Sequence, residues 1–358
     1  MADLRNAAVG APGTRRLLWT LTVLSLLLLS LVFLHIAYGR TVMSLPEVVS
    51  ALFNWTEDAG SRHIVWNLRL PRVLIAMAAG AMLGLAGAIL QIVLRNPLVE
   101  PGLIGVSAGS VLTIVLAVQL LPAASLSGGR LSLLAMLGGM LTVILIYVLN
   151  GRKGNSGPRL ALTGIVVTSV LQSLTSLLLL KQQQGLASIL LWNFGSLNGR
   201  VWTHWHTLWP WALALIVLAL LLARRAAVLR FSDATAVGLG LPAGRTKLWL
   251  LLTAAALTAA AVSVVGAIGF IGLIGPHIAG RLVGGHPLRL FPVSALFSAV
   301  LLTAADWMGQ SLTLTLALPG LEHRVSSLPV GAVTTLLGAP FFLYLLRHSL
   351  VHRRSGGS

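Results

Sequence analysis

Long apolar runs separated by short polar segments dominate the chain. A helix needs about 20 apolar residues to cross a bilayer, so each long run predicts a membrane-spanning helix. The run at 270–283 is too short to cross alone, and we expect it to begin part-way into the membrane, where surrounding protein shields its end. The pattern predicts an all-α polytopic membrane protein with about ten transmembrane helices. The ten predicted spans are 17–37, 73–94, 103–121, 131–149, 160–180, 207–223, 248–268, 270–283, 290–312 and 328–346.

Small residues within these runs indicate helices that pack closely against other helices. In the second run, Gly80, Gly84 and Gly87 share one helical face, and lipid-facing helices seldom need such a face. We therefore expect this helix to lie inside the bundle. Other small or turn-forming positions, together with one histidine, are candidates for structural or pathway roles: Asn96, Pro97, Gly105, Gly109, Gly275, Pro276, His277, Pro329 and Gly331.

A weak internal echo links two segments of the chain. GAILQIVLRNP occupies 87–97 and GAIGFIGLIGP occupies 266–276, with the same spacing from the first glycine to the proline. The two segments belong to runs that are predicted to cross in opposite directions, which is the construction of transporters with inverted repeats. A chance match in a chain rich in Gly, Ala and Ile is the alternative.

Composition excludes an ordinary soluble domain, because 56% of the 358 residues are hydrophobic, only 9% are charged, and the mean hydropathy is +0.91. The net charge of +17 fits cytoplasmic loops rich in Lys and Arg better than nucleic-acid binding. Ten spans with both termini in the cytoplasm put roughly two thirds of the 25 basic residues inside. The chain has no cysteine, so disulfide and thiol chemistry are excluded.

We predict a single transmembrane domain over 1–358, in which the polar segments form a tail and the connections between spans. We interpret 1–16 as a cytoplasmic tail, 38–68 as a periplasmic loop and 224–247 as the longest cytoplasmic connection. The first run exceeds the about 7–15 apolar residues of a signal peptide, so we expect it to be a retained span. Residues 185–200 suggest a short helix lying at the outer surface.

The connection at 224–247 predicts a short surface helix. Ser232 is a suitable N-cap, the helix would run over 233–239, and Gly240 followed by Pro242 would end it. A short exposed helix can dock in a groove of another protein. A plain connection between two spans is the alternative interpretation.

Candidate chemistry is sparse. The chain lacks a phosphate-binding G-x-x-x-x-G-K-[ST] sequence, and no span carries paired carboxylates, so we expect neither catalytic residues nor a metal site. Asp306 is the only acid deep within a span. A charge there is costly, so Asp306 is either a proton or ion site or a structural carboxylate satisfied by neighbouring helices. With no basic residue near it in the same span, we favour the structural role.

Several motifs together resemble the permease subunits of bacterial ABC importers for iron chelates and cobalamin. RLPR at 69–72 and QIVLRNPLVEPGLIGVSAG at 91–109 form the first part of the match, and LWNFGSLNG at 191–199 forms the second. GAIGFIGLIGPHIAGRLVG at 266–284 is followed by Asp306 and by LPVGAVTTLLGAPFF at 328–342. The resemblance covers nearly the whole chain and implies a type II ABC importer permease fold.

The resemblance implies several partners. A second permease subunit, identical or different, would complete a central pathway, which we expect to draw on spans 3, 5, 8 and 10. Two cytoplasmic ATPase subunits would carry ATP and Mg²⁺, with no cofactor on this chain, and a periplasmic or lipid-anchored binding protein would deliver the chelate. The segment between spans 6 and 7 would contact the ATPase through Ser232, Asp233, Ala234, Thr235, Gly238 and Gly240.

The resemblance also assigns binding-protein docking to Arg69 and Arg72, which we expect to be exposed at the membrane rim. The chain departs from the family pattern at Gln310, where many members carry Arg, and at Ser327, where many carry Glu. We hypothesise that Arg324 replaces the missing third docking charge.

The predicted function is transport of an intact ferric siderophore across the bacterial cytoplasmic membrane. The permease would work without chemistry of its own, in the lipid bilayer and without nucleic acid, and ATP hydrolysis on the partner subunits would drive it. Cobalamin or heme stays open as the cargo. A proton-coupled secondary transporter using Asp306 is the rival of a different class.

Overall fold

A computed structural model describes residues 13–38, 42–53, 55, 58–122, 129–151, 157–180, 194–231, 233–311 and 328–355. Throughout these ranges the regular structure is helical. A π-helical turn, Ile64–Arg69, and a 3₁₀ turn, Pro101–Ile104, interrupt the α-helices. The α-helices are α1 Thr14–Ala37, α2 Leu45–Leu52, α3 Ala59–His63, α4 Leu70–Val93, α5 Val106–Leu120, α6 Arg130–Asn150, α7 Gly157–Leu180, α8 Trp202–Leu229, α9 Asp233–Gly238, α10 Ala243–Val265, α11 Ile271–Val283, α12 Pro287–Ser311 and α13 Val330–Ser355.

Each of the ten predicted spans corresponds to a helix in the structure. Among the described residues, eight helical segments are long and apolar enough to cross a membrane, and α5 and α11 are two shorter apolar helices. At about 1.5 Å per residue, both short helices fall below the roughly 30 Å hydrocarbon core. The short eighth span is therefore confirmed as α11. The third span was expected to begin at 103. Helix α5 begins at Val106 instead, because Gly105 adopts a left-handed backbone conformation (φ +74°) that an α-helix does not contain.

Burial divides the long helices into a central and a peripheral set. In α4 and α10, 78% of the most apolar stretch is buried, whereas the corresponding share in α1 and α7 is 11%. The central α4 packs against α8, α10, α11 and α12. We define the outer end of the bundle as the end at which α1 finishes, according to the orientation that the basic residues predict.

Helix α4 approaches α11 and α12 through its glycine face. A Cβ atom added to Gly80 or Gly84 would overlap Ser298 of α12, and one added to Gly87 would fall onto the carbonyl oxygen of Gly272 in α11. Gly275 of α11 also lies directly against Ser298. Three helices therefore cross with their backbones almost in contact, which only small residues allow.

The two echoing segments do not share a local structure. Gly87 lies inside α4, whereas Gly266 ends α10 with φ +78° and is followed by four non-helical residues. Pro97 follows a helix, whereas Pro276 lies inside α11. The echo therefore does not mark equivalent positions of a structural repeat.

Helices occupy more of two connecting segments than we expected. Within 38–68, α2 begins with Glu47 accepting a hydrogen bond from the Ser44 N–H (2.8 Å), and α3 begins with Asp58 capping it. Hydrogen bonds from Ser61 and Gly60 lower the pKa of the Asp58 carboxyl. Within 224–247, α8 continues to Leu229 and α10 begins at Ala243, so the connection is shorter than expected.

Candidate functional site

Four side chains from three helices form a charge cluster inside the outer end of the bundle. The guanidinium of Arg72 (α4) donates two hydrogen bonds of 2.7 Å to the carboxylate of Asp306 (α12). Nε2 of His35 (α1) lies 2.8 Å from Oδ2 of the same carboxylate. The amide of Gln310 reaches both Asp306 (3.2 Å) and His35 (2.9 Å). Only 1% of the Asp306 surface is exposed.

This cluster favours the structural interpretation of Asp306. A bidentate arginine with a histidine and an amide satisfies most of the acceptor positions of one carboxylate. The basic partners lie on other helices, 234 and 271 residues away, which is why inspection of one span could not find them. Gln310, which departs from the family pattern, contributes to this cluster.

The arginines of the RLPR motif point inward, so the expectation that they are exposed is wrong. Arg69 is buried (8% exposed) and donates to the carbonyl oxygens of Ile36 and Ala37, at the end of α1. Arg72 is 14% exposed and pairs with Asp306. Helix α1 ends with carbonyl groups that lack intrahelical partners, and Arg69 supplies donors for them. Their docking role stays a prediction, as does that of Arg324, which lies outside the described residues.

A polar cleft opens between α5, α7 and the turn that precedes α11. One cavity of about 380 Å³ shares several lining residues with a second of about 360 Å³. The second extends along α7 to Leu179. Spans 3 and 5, which we expected in the pathway wall, both contribute. The residues common to both cavities are Ser107, Ala108, Gln172 and Ala267.

Helix α7 carries a polar stripe along this cleft. Ser169, Gln172, Ser173 and Ser176 are spaced by three and four residues, so they share one face of the helix, and all four are exposed in the chain. The serine hydroxyls donate to carbonyls one turn back, at 2.9–3.0 Å. A glutamine facing lipid is costly, so this face requires water or protein beside it. The stripe was not predicted from the sequence, although polar residues three and four positions apart indicate one polar face of a helix.

A hydrogen bond at the edge of the cleft connects the turn before α5 with the turn before α11. Oε2 of Glu100 accepts a hydrogen bond of 2.8 Å from the N–H of Phe270, the residue before α11. Phe270 has φ +67°, and its ring lies against Gly338 of α13. Glu100 itself lines the cleft beside Gly269. The sequence interpretation did not single out Glu100, because its partner lies 170 residues away.

Other candidate residues serve turns and close helix contacts. Gly109 of α5 packs directly on Thr142 and Gly138 of α6. Oδ1 of Asn96 accepts from the Leu98 N–H (2.9 Å) in the turn that contains Pro97.

Two further candidates lie at the contacts of α13. The N–H of Gly331 donates to the Gly195 carbonyl (3.1 Å), and Pro329 directly precedes this helix. His277 packs edge-on against Phe341, with ring centroids 5.6 Å apart.

The short helix predicted between spans 6 and 7 is present as α9. It ends where the Gly240 N–H donates to Val237 (2.9 Å) and the Leu241 N–H donates to Ala236 (3.0 Å), with Gly240 at φ +79°. Ala234 and Thr235 are exposed, and Ser232 lies outside the described residues.

Around α9 the chain exposes large apolar side chains at the inner end. They are Phe231, Val237 and Leu239, each at least 60% exposed.

Comparisons with known proteins agree with this architecture. The profile described as the FecCD transport family matches residues 26–348. The Fe(3+)-citrate import system permease protein YfmE of Bacillus subtilis is 35% identical over 93% of this chain and 96% of its own length. The Fe(3+) dicitrate transport system permease protein FecD of Escherichia coli is 38% identical over 82% of this chain and 88% of its own length.

A solved structure gives the same result. A metal-chelate type ABC transporter in an inward-facing conformation superposes with a TM-score of 0.77 and 28% identity, covering 92% of this chain and 99% of that one. With the profile match, the relatives and the multiple membrane-spanning helices, this chain belongs to the FecCD transport family and is a multi-pass membrane protein.

Proposed function

We propose that this chain is the permease subunit of an ABC importer that moves an intact ferric siderophore across the bacterial cytoplasmic membrane. The observation that carries the proposal is the match, over nearly the whole chain, to relatives named as Fe(3+)-citrate permeases. Both termini would be cytoplasmic, in accordance with the distribution of Lys and Arg. Cobalamin or heme is the alternative cargo.

Two surfaces support the proposed partners. The exposed apolar side chains around α9 suit a contact with one of two separate ATPase subunits, which would bind ATP and Mg²⁺, because docking buries such side chains. The exposed polar stripe of α7 suits a pathway completed by a second permease, because such a face needs water or protein beside it. A binding protein at the outer end would deliver the chelate.

A reconstitution tests this function. The permease is placed in liposomes with its ATPase subunits, the binding protein is supplied on the opposite side, and uptake of radioactive iron is measured for ferric citrate and for catecholate and hydroxamate chelates, with labelled cobalamin and heme in parallel. We expect uptake of an iron siderophore that requires ATP. Uptake driven by a proton gradient without ATP would instead support the secondary-transporter hypothesis, which the pairing of Asp306 with Arg72 and His35 does not favour.

The α7 stripe gives a specific prediction. Gln172→Leu removes the amide from both cavities, so we expect transport to fall about tenfold if the amide binds the polar cargo in transit, since a lost hydrogen bond costs about 1–1.5 kcal/mol. Leu162→Ala, on the same helix but outside the cleft, is the control and should transport normally. The amount of folded permease should not change in either variant. Normal uptake by Gln172→Leu would exclude the stripe from the pathway.

A further inference from the structure

The turn between α4 and α5 begins with an unusual residue. Arg95 has φ +51°, a conformation that helix ends normally assign to glycine. Its side chain provides what glycine could not, because Nη2 donates to the carbonyl of Phe231 (2.7 Å) and lies 3.4 Å from that of Leu229. These carbonyls stand at the end of α8, directly before α9. Arg95 therefore links the end of α4 to the base of the segment proposed to contact the ATPase.

From Arg95 the chain turns back into the bundle as a constrained segment. The side chain of Asn96 accepts from the Leu98 N–H (2.9 Å), and the Val99 N–H donates to the Asn96 carbonyl (3.4 Å). Val99 is buried, and Pro101 packs against Gly272 of α11. A short segment with two prolines over 95–101, internal hydrogen bonds and a buried centre has few alternative conformations.

Glu100 connects the other end of this turn to the cleft. The first N–H groups of α11, like those of any α-helix, lack partners within the helix. Oε2 of Glu100 accepts a hydrogen bond from the N–H of Phe270, directly before α11, and so supplies an acceptor at this end. The acceptor comes from a distant turn and not from the residues that precede α11. A displacement of the turn must therefore displace or release Phe270, whose ring lies against Gly338 of α13.

We propose that the turn from Arg95 to Glu100 mechanically couples the inner segment at α9 to the wall of the cleft, with Arg95 and Glu100 as its two positioning residues. The role of this turn in transport rests on the proposed function. The physical coupling between its two ends does not depend on which cargo is moved. The coupling runs through hydrogen bonds and packed backbone, a contiguous path of the kind that energetic coupling between distant sites can follow. The sequence RNPLVEP at 95–101 therefore combines a hydrogen-bond donor, Arg95, with an acceptor, Glu100, and a conformationally restricted segment between them.

Amide hydrogen exchange on the full chain in lipid nanodiscs tests the coupling independently of transport. Arg95→Gly removes the whole side chain, including the guanidinium, while glycine readily adopts the left-handed backbone of this position. We expect exchange at 269–273 to rise about fivefold in this variant, because a loosened turn would shift Glu100 away from the N–H of Phe270. Glu100→Ala should produce the same rise, whereas Glu100→Gln, which retains an acceptor oxygen, should stay near the unmodified chain.

Arg159→Ala removes an exposed arginine of α7 and serves as the matched control, with no change expected at 269–273. Unchanged exchange in Arg95→Gly would overturn the proposal. A rise in Glu100→Ala alone would also overturn it, because Glu100 would then be only a local cap.

The second measurement uses the reconstituted complex. We expect Arg95→Gly and Glu100→Ala to lower the amount of chelate moved per ATP hydrolysed about fivefold to tenfold while ATP hydrolysis continues, and the double variant to lose little more than either single variant. A purely structural defect would instead reduce hydrolysis and transport together. If the unmodified complex moves no chelate, the proposed function fails while the exchange result still decides the coupling.

Discussion

Asp306→Leu is expected to destabilise the protein by about 3–5 kcal/mol, because it leaves the largely buried guanidinium of Arg72 without its counter-charge. The replacement removes two 2.7 Å hydrogen bonds and the acceptor of His35 in one step. For a chain of this size we expect the midpoint of thermal unfolding to fall by roughly 6–15 °C. Tryptophan fluorescence of the purified protein, together with the yield of monodisperse material, measures the effect.

Two further variants test whether the destabilisation comes from leaving Arg72 unpaired or from the loss of a carboxylate in general. Replacing Arg72 by Met and His35 by Leu in the Asp306→Leu background removes every charge of the cluster and should recover much of the stability, since apolar replacements of buried ion pairs are often neutral. Asp58→Asn removes an exposed carboxylate but keeps its capping ability, so it should unfold like the unmodified protein. A stable Asp306→Leu variant that has lost only transport would instead favour the ion-site hypothesis.

Gly87→Ala is expected to cost about 3 kcal/mol, at the upper end of the usual penalty for overpacking. The new Cβ atom would fall onto the carbonyl oxygen of Gly272, and neither backbone can yield, because both belong to helices in the middle of the bundle. We expect less folded protein and a lower unfolding midpoint in the same fluorescence measurement.

The control for this substitution lies on the facing helix. A Cβ atom at Gly280 of α11 would meet its nearest neighbour at 3.9 Å, an ordinary contact. Gly280→Ala should therefore be neutral or slightly stabilising, since alanine favours a helix over glycine. Equal stability of the two variants would mean that α4 and α11 can separate without cost.

The helices could be predicted from sequence because apolar runs report them directly. Each of the ten predicted spans corresponds to a helix, and among the described residues eight of these helices are long and apolar enough to cross a membrane. The capping signals of α9 were local, so that helix was found within one residue. The start of α5 was missed by three residues because hydropathy does not detect the left-handed backbone at Gly105. The segment 38–68 was interpreted as a loop because its helices, Leu45–Leu52 and Ala59–His63, are too short to stand out as long apolar runs.

The candidate site was harder to predict, and the reason is distance along the chain. Arg72 resembled an exposed docking charge because its partner, Asp306, lies 234 residues away. Glu100 showed no signal of its own, because its role depends on an amide 170 residues away. The polar stripe of α7 could have been recognised, since its spacing of three and four residues is a local property. Local patterns were therefore informative, whereas pairings between helices required the fold.

The charge cluster at the outer end also bears on the order in which the chain is made. His35 and Arg72 precede Asp306 by 271 and 234 residues, so both are synthesised long before it. Throughout most of synthesis, the two basic side chains must therefore be held by water, by lipid headgroups or by the insertion machinery. The final packing of α1 against α12 therefore comes late, and a chain truncated before residue 306 lacks the carboxylate that pairs with Arg72 and His35.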